Sequence, residues 1–434
     1  MDKVFYNGVI ITADEEDHVY SSGYVHVKDD HFFEVGDGFP HHIPSQDTEF
    51  YNLNGKWLVP GLINTHGHTP MTLLRGHSDD LPLQRWLKEK MWPMEQKLTR
   101  EAVIASSKLA MVEMLKSGTT TFLDMYHLYL DDIANIVDEA GMRAVITRGI
   151  IGLCSREEQK AKLDEALSIA RNWHGKGEGR ITAMLSPHSP YLCPPDFIAE
   201  IAHEARGLGL PVHTHMSETA HEVEENVKKY GKRPVEHLWS TGFFDGSALV
   251  AHAVHVNDEE LDILAQHRVA VSHNPMSNLK LGSGVAPIKT MLNKGITVSI
   301  GTDSVASNNN LDLIQEMRTA VLLQKGINQD ATAVTTAEGI KLITANGAKA
   351  LGLNEKVGSI KATKEADFII LEAHAAHLQP EINASSHFVY SASGQDVLDV
   401  YVKGKQLVKN KQCLLLDEEK IAFQCNQFYQ KMIM

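Results

Sequence analysis

A chain of 434 residues is long enough to bury the core of one large domain and of a second, smaller one. With 43% hydrophobic and 22% charged residues, its composition is that of a soluble globular protein. A net charge of −14 without any block of Lys and Arg argues against nucleic acid or an anionic membrane as a partner, and no run is apolar for the length needed to cross a bilayer.

The N-terminal region consists of short apolar runs separated by Asp, Gly and Ser clusters, as in "VFYNGVIITADEEDHVYSSGYVHV". This pattern predicts antiparallel strands and hairpins. The first residues lack the basic-then-apolar layout of a signal peptide, and the four cysteines contain no C-x-x-C pair. Together these features predict a cytoplasmic protein.

From Leu58 onward, short apolar runs alternate with amphipathic helical segments such as "EAVIASSKLAMVEMLKSG". Eight runs can be counted, in order "LVPGLINTH", "TTTFLDM", "RAVITRG", "ITAMLSPH", "PVHTHM", "ALVAHAV", "VAVSHNP" and "TVSIGTD". Strands that are buried on both faces and alternate with helices in this way predict an α/β protein with a (β/α)8 barrel of the TIM type.

The C-terminal region returns to strand-and-turn patterns in "KVGSIKATKEADFIILEA" and "DVLDVYVKGKQLVKNKQCLLL", and it ends in a predicted helix. The simplest interpretation is that both chain termini form one small β-sandwich domain beside the barrel. We therefore expect residues 1–57 and 359–434 to form this β-domain with its terminal helix, and residues 58–358 to form the barrel.

Ionisable residues stand at the ends of five predicted barrel strands. Because the carboxyl ends of all the strands of such a barrel meet at one mouth, we expect these side chains to converge although they are far apart in sequence. In strand order they are His66 and His68, His188, His215, His252 and Asp303. Imidazole and carboxylate are ligands that zinc and its neighbouring divalent ions prefer, so the sequence predicts a metal site.

Four of these residues, His66, His68, His215 and Asp303, would supply three nitrogen ligands and one oxygen ligand and leave a position open for water. An open position is typical of catalytic zinc sites, where the ion lowers the pKa of its bound water to about 7. Asp303 could accept the proton of that water. A second ion would need a bridging carboxylate or modified lysine after the fourth strand, where "LSPHSPY" offers neither. We expect one ion, and iron, nickel or manganese would suit the same ligands as zinc.

Glu218 lies three residues after His215 and is a candidate for general acid–base catalysis. The alternative is a carboxylate that stabilises the start of the helix "ETAHEVEENVKKYG" through the helix dipole. His252 could polarise the attacked group, bind the ion loosely or be a buried structural histidine. His213 shares the strand face of His215 but lies one layer deeper, which favours a structural role. Two further histidines are expected to be supporting or structural: His255 and His273.

Five segments match a known family in order and across essentially the whole chain: "VPGLINTHGH", "HTHMSE", "VAHAVH", "VSHNPMSNLKLGSGVAPI" and "IGTDS". Through them the chain resembles the amidohydrolase superfamily, and "ADFIILE" resembles that family's closing β-domain. Within the superfamily, "LLRGHSDDLPLQRWLKEKMWPMEQKLT", "SGTTTFLDMY", "TRGI", "LSPHSPY" and "GTDSVASNNNLDL" are most similar to the 5′-methylthioadenosine/S-adenosylhomocysteine deaminases, a branch next to the guanine deaminases and triazine hydrolases.

Carried over position by position, the resemblance implies zinc bound by His66, His68, His215 and Asp303. It implies the catalytic residues Asp303 as base, Glu218 as proton shuttle to the purine ring and His252 beside the ion. It implies substrate contacts from Glu95, Arg148 and His188. A carboxylate such as Glu95 could accept both hydrogen bonds of a ribose diol, and Arg148 could bind the ring, the sugar or a homocysteine carboxylate. Their residue types alone also fit an ordinary helix start and a structural ion pair.

The activity that the resemblance implies is hydrolytic deamination of an adenine nucleoside, either 5′-methylthioadenosine, S-adenosylhomocysteine or adenosine, to the inosine analogue and ammonia. A guanine deaminase or triazine hydrolase is the alternative, and Glu95 discriminates, because a base without ribose has no diol to bind. A non-catalytic scaffold is the third interpretation, but scaffolds of this kind lose ligands that are all present here. The sequence leaves open the preferred 5′ substituent, the native metal and whether the chain forms a homo-oligomer.

Overall fold

The computed structural model describes residues 2–40 and 47–434, which form a barrel and a small β-domain. The strands are β1 (Asp2–Ile11), β2 (Val19–Lys28), β3 (His31–Asp37), β4 (Glu49–Asn52), β5 (Lys56–Pro60), β6 (Leu62–Asn64), β7 (Thr119–Tyr126), β8 (Arg143–Ile150), β9 (Ile181–Pro187), β10 (Val212–Met216), β11 (Ala248–His252), β12 (Ala270–His273), β13 (Val298–Ile300), β14 (Phe368–Glu372), β15 (Val397–Val402), β16 (Lys405–Lys409) and β17 (Gln412–Cys413). The longer helices are α3 (Arg100–Lys116), α4 (Leu130–Ala140), α5 (Arg156–Trp173), α6 (Pro195–Gly207), α7 (Ala220–Tyr230), α8 (Pro234–Ser240), α9 (Asp258–Gln266), α13 (Leu313–Asn328), α14 (Thr336–Leu342), α16 (Ala384–Tyr390) and α17 (Glu418–Ile433). The shorter helices are α1 (Leu83–Arg85), α2 (Trp92–Glu95), α10 (Pro275–Lys280), α11 (Ile288–Asn293), α12 (Val305–Asn308) and α15 (Ala345–Ala350), with a π-helical turn over Trp86–Met91 and 3-10 turns over Thr69–Leu74, Ala376–Leu378 and Gly394–Asp396.

The barrel consists of eight parallel strands that follow one another in chain order from β6 to β13. Its first and last strands meet through backbone hydrogen bonds at their carboxyl ends. Thr65 N donates to Ile300 O at 3.0 Å, and Asp303 N donates to His66 O at 3.0 Å. Every residue of β7 is buried, as expected for a strand packed on both faces. The predicted (β/α)8 barrel is confirmed.

The small domain is a nine-stranded sheet drawn from both ends of the chain, in the order β17-β16-β15-β14-β5-β1-β2-β3 with β4 beside β1. The sheet curves over its own apolar core, so that Phe32 N donates to Lys364 O and Thr363 N donates to Phe32 O, each at 2.8 Å. In that core Phe368 stacks on Tyr401 with ring centroids 4.5 Å apart. The prediction that both termini build one β-domain is confirmed.

The first predicted barrel strand, residues 58–66, is divided between the two sheets. β5 carries residues 58–60 into the small sheet beside β14, and only Leu62–Asn64 belongs to the barrel. The chain changes sheets at Gly61, where a Cβ atom would lie 2.3 Å from Thr120 Oγ1. The prediction of one continuous strand was wrong because an apolar run does not reveal which sheet each half joins. The domain boundaries stay predictions.

The predicted terminal helix is present as α17, and it packs on α3 of the barrel. Lys97 Nζ donates to Met432 O at 2.7 Å, and the ring of His77 hydrogen-bonds the hydroxyl of Tyr429 at 3.0 Å. Within the described residues, no helix combines the length and apolar character that crossing a membrane would require. The four cysteines are free.

Candidate metal and substrate site

A pocket of about 750 Å³ opens at the carboxyl ends of the barrel strands. Its volume is in the usual range for sites that bind small molecules. His66 lies beneath its floor and is fully buried. The pocket is lined by the other sequence-predicted site residues, namely His68, Glu95, Arg148, His188, His215, Glu218, His252 and Asp303. The structure therefore brings every one of these residues to a single mouth.

The donor atoms of the predicted metal ligands converge on one point. His68 Nε2 lies 3.2 Å from Asp303 Oδ1 and 3.4 Å from His215 Nε2. His66 Nε2 lies 3.5 Å from Asp303 Oδ1. His66, His68 and Asp303 offer ligand atoms within 4.8 Å of one another, and so do His66, His215 and His252. Nitrogen and oxygen donors at this spacing suit a divalent ion such as zinc.

Three histidines at this point are oriented by oxygen acceptors at their Nδ1 atoms. The bonds run from His68 to Met125 O (2.5 Å), from His215 to His188 O (2.8 Å) and from His252 to Asn278 Oδ1 (2.8 Å). A carbonyl or amide oxygen can only accept a hydrogen bond, so the ring nitrogen that faces it must carry a hydrogen. Each ring therefore carries its hydrogen on Nδ1 and presents the Nε2 lone pair to the site. Among the described residues, the buried Nε2 of His66 has no hydrogen-bond partner, a defect that a bound cation would remove. The residues present therefore fit a divalent metal.

Asp303 is oriented by hydroxyl groups that sequence reasoning missed. Ser277 Oγ donates to Asp303 Oδ2 at 2.6 Å and Ser307 Oγ donates to it at 3.1 Å, which leaves Oδ1 facing the histidines. Burial by itself raises the pKa of Asp303, but the adjacent imidazoles of His66 and His68 outweigh it and hold this pKa well below its usual value. Ser277 stands in the family-like segment "NPMSN", which was the available signal, although that segment does not reveal which residue Ser277 contacts.

Glu218 points into the pocket and does not cap α7, whose N-cap is Thr219. Its Oε2 lies 3.8 Å from His252 Nε2, and Ser283 Oγ donates to its Oε1 at 3.5 Å. Burial raises the pKa of Glu218. Glu222, one turn later, accepts from the backbone N–H of Glu218 at 2.8 Å and so fixes the chain at this point. Sequence reasoning missed Glu222, because it looks like any acidic residue in the first turn of a helix.

The three predicted substrate contacts line the same pocket as the metal ligands. Glu95 ends α2 and accepts a hydrogen bond from Tyr126 Oη at 2.8 Å, and burial raises its pKa. Arg148 lies in β8 and pairs with Glu165 through Nε at 2.6 Å, so the expected structural ion pair is present at a residue that also lines the pocket. His188 follows β9, and burial lowers the pKa of its ring to about 3.

Aromatic and cationic side chains that the sequence did not single out complete the wall. They are Trp86, Trp92, Tyr126, Tyr191 and Lys162. Trp86 begins the π-helical turn between α1 and α2, a local geometry that is frequent at functional sites. An apolar wall with a few charged groups at its edge is typical of pockets for amphipathic small molecules.

A (β/α)8 barrel that gathers histidines and an aspartate at its mouth belongs to the class of metal-dependent barrel enzymes. Residues 57–407 match the model of the "Amidohydrolase family". The chain is 52% identical to a 5-methylthioadenosine/S-adenosylhomocysteine deaminase of Shouchella clausii over 98% of both chains. It is 53% identical to a protein of the same name from Halalkalibacterium halodurans over 99% of both. The chain belongs to the amidohydrolase family.

Solved structures with similar folds support this assignment. An adenosine deaminase from Xanthomonas campestris with bound zinc superposes with a TM-score of 0.92 at 30% identity, covering 100% of this chain and 98% of the other. A guanine deaminase from C. acetobutylicum superposes with a TM-score of 0.85 at 22% identity, covering 94% of this chain and 100% of the other, and at that identity the likeness concerns the fold alone.

Proposed function

We propose that this chain hydrolytically deaminates adenine nucleosides, in particular 5′-methylthioadenosine and S-adenosylhomocysteine, and releases the inosine analogue and ammonia. The observation that carries the proposal is Glu218, a buried carboxylate that faces the pocket beside the convergent histidines and Asp303. Identities of 52% and 53% over nearly the whole chain to relatives that bear this name support the choice of substrate.

The proposed metal ligands are His66, His68, His215 and Asp303, with His252 beside the ion. Zinc is the proposed metal, because the 30% identical adenosine deaminase from Xanthomonas campestris contains it and because imidazole and carboxylate suit it. When bound, the ion would supply a water activated by a lowered pKa. Iron, nickel or manganese could occupy the same donors, so metal analysis of the purified protein decides among them.

Two carboxylates of the pocket, Asp303 and Glu218, move the protons. Asp303 accepts a proton from the attacking water through Oδ1, while Ser277 holds Oδ2. Glu218 delivers its proton to ring N1, which removes the aromaticity that resists attack at C6. As the C6–N bond breaks, the proton that Asp303 took from the water passes to the departing amine to give ammonia, and the proton of the new C6 hydroxyl returns to Glu218. The raised pKa of Glu218 favours its protonated form closer to neutral pH than is usual for a glutamate.

Recognition of the nucleoside is assigned to the outer part of the pocket. Glu95 accepts hydrogen bonds from the ribose diol through the carboxylate that Tyr126 also holds. Arg148 donates to the sugar or to a homocysteine carboxylate, since Nε and Nη1 are bonded to Glu165 and Gly149 O and Nη2 faces no such partner among the described residues. His188 contacts the substrate at the ring side, next to His215.

The test is kinetic. Zinc-loaded protein is assayed for ammonia release and for loss of adenine absorbance with 5′-methylthioadenosine, S-adenosylhomocysteine, adenosine, guanine and a chlorotriazine. We expect the adenine nucleosides to be deaminated with the highest kcat/KM. Glu218→Gln should lower kcat by about 10²- to 10⁴-fold, the usual range for a general acid–base residue. Glu224→Gln, on an exposed position of α7, the helix that follows Glu218, is the matched control and should leave kcat unchanged.

The competing activity is deamination of guanine or hydrolysis of a triazine. Guanine and triazines carry no ribose, so the loss of Glu95 would not selectively harm their turnover. Glu95→Ala should therefore raise KM for nucleosides while leaving any residual guanine turnover unchanged. Normal nucleoside turnover by Glu218→Gln, or a guanine kcat/KM above that of every nucleoside, would overturn the proposed function. A wild-type protein that binds no divalent ion would indicate a scaffold instead.

A further inference from the structure

His66 differs from the other histidines at the mouth in the partner of its Nδ1 atom. Its neighbours His68 and His215 bond directly to backbone carbonyls, whereas His66 Nδ1 faces another imidazole, His213 Nε2, at 2.9 Å. An imidazole nitrogen can donate or accept, so this contact alone does not decide which ring carries the shared hydrogen. The next contact along the chain of bonds decides it.

That next contact lies between His213 Nδ1 and the carbonyl oxygen of Leu249, at 3.0 Å. A carbonyl only accepts, so His213 must carry a hydrogen on Nδ1. His213 is completely buried, and among the described residues its ring nitrogens contact His66 and Leu249 O and no carboxylate, so burial in an apolar interior favours the neutral ring. A neutral ring with its hydrogen on Nδ1 has a lone pair on Nε2. His66 must then donate from Nδ1, and its own Nε2 is left as a lone pair facing Asp303.

The topology of the barrel explains why a side chain is needed here. β6, which leads into His66, and β10, which carries His213, are four strands apart in a closed ring of eight, so they stand on opposite walls. On the strands next to β6, Met125 O accepts from His68 and Ile300 O accepts from Thr65. A ring that reaches across the barrel axis can contact His66 Nδ1, and in this barrel the ring comes from β10.

We propose that His213 is a positioning residue, which selects the His66 tautomer that presents Nε2 to the metal and holds that ring at the floor of the site. Both His213 nitrogens are engaged, at Leu249 O and His66 Nδ1, so His213 is not itself a ligand. The pair His213 and His215 on one face of β10 thus combines a supporting ring with a metal ligand. This inference rests on the metal site of the proposed function and does not depend on the identity of the substrate.

The first test compares two substitutions of similar size. His213→Leu fills the space without an acceptor, while His213→Gln places an amide oxygen where Nε2 was. Zinc affinity, measured by competition with a chelator, should fall about 10- to 100-fold in His213→Leu, the usual cost of losing a partner of a ligating histidine, and His213→Gln should recover most of that loss. His273→Leu is the control, because His273 is equally buried at a strand end and neither of its ring nitrogens is hydrogen-bonded within the described residues. It should bind zinc as the wild type does.

If His213 served packing alone, His213→Leu would bind zinc at least as tightly as His213→Gln, since leucine fills an apolar interior at least as well as glutamine. Unchanged zinc affinity in His213→Leu, or equal losses in His213→Leu and His213→Gln, would overturn the proposal. If His213→Leu does not fold, nitrogen-15 NMR of metal-free wild-type protein gives the answer, with the His66 signal assigned by its absence in His66→Asn. Hydrogen on Nδ1 of His66 supports the proposal and hydrogen on Nε2 overturns it. A wild type that binds no zinc contradicts the proposed function instead.

Discussion

The two ends of the barrel both bury charged and polar groups, but they satisfy them differently. At the base, the guanidinium of Arg143 is 0% exposed and contacts Glu365 at 2.6 Å and Asp367 at 3.0 Å, so its charge is neutralised by protein groups. At the mouth, hydrogen bonds to protein groups orient the imidazoles and Asp303, and their remaining donor atoms face a cavity. The buried charges at the base are compensated by one another, so that removing one of them is costly, whereas buried donor atoms that face a cavity indicate a binding site.

Left-handed backbone conformations occur at both ends of the barrel, and at the mouth three of them fall on or beside site residues. Ser217, His252 and Asp303 stand at the carboxyl ends of β10, β11 and β13, and they have φ angles of 52°, 73° and 58°. Left-handed conformations in residues other than glycine cost of the order of 1–3 kcal/mol each and persist where the surrounding structure imposes them. At this mouth they help to direct the side chains of the site.

The largest expected effect comes from removing the metal ion from the mouth of the barrel. Removal of divalent ions with a chelator should lower deaminase activity by at least about 100-fold, because the attacking water then keeps the high pKa of bulk water. Zinc added back should restore activity, and far-ultraviolet circular dichroism should show no loss of helix, because the base and the β-domain do not depend on the ion. A chelated protein that retains full activity would contradict the metal site.

The next largest effect is expected at the base. Arg143→Met leaves Glu365 and Asp367 buried without their cation and should lower the free energy of unfolding by roughly 3–5 kcal/mol, as for other broken buried ion pairs. Denaturant unfolding measures this loss, and kcat and KM of the folded protein should not change. A change in KM without a change in stability would show that the two ends are not separate in function.

A smaller effect is expected from the support of Asp303. Ser277→Ala removes the 2.6 Å hydrogen bond to Oδ2, which is worth about 1.5–3 kcal/mol when the acceptor is charged, so kcat should fall roughly 10- to 100-fold. Ser299→Ala is the control, since Ser299 is a buried barrel serine that bonds Thr65 and touches no predicted ligand. Equal kcat losses in both variants would assign the effect to packing.

The smallest effect is expected on the surface. Arg100 pairs with Asp132 through two hydrogen bonds but is 62% exposed, so solvent screens the pair. Arg100→Met should leave both the unfolding midpoint and kcat unchanged within error. Comparing Arg100→Met with Arg143→Met shows the effect of burial on the free energy of unfolding, because both substitutions remove a guanidinium that pairs with carboxylates.

Much of the architecture could be predicted from local pattern. All eight apolar runs contain a barrel strand, the first run only in its second half, and polar residues at their carboxyl ends could be expected to meet, because a parallel barrel brings those ends together. The division of residues 58–66 between two sheets could not be predicted, since the choice at Gly61 depends on Thr120 from a neighbouring strand. The position of Glu95 likewise depends on how α2 lies over the pocket, and only the family resemblance indicated it.

By itself, the sequence determined the barrel, the β-domain built from both termini and the side chains that stand at the mouth. Apolar periodicity is visible in neighbouring residues, and the order of the strands is visible along the chain. The tertiary structure alone decided which nitrogen of each histidine faces the site, which oxygen of Asp303 is free and that His213 supports His66. Those choices depend on carbonyls and hydroxyls from distant strands, and every residue has a carbonyl, so no letter of the sequence marks the one that accepts.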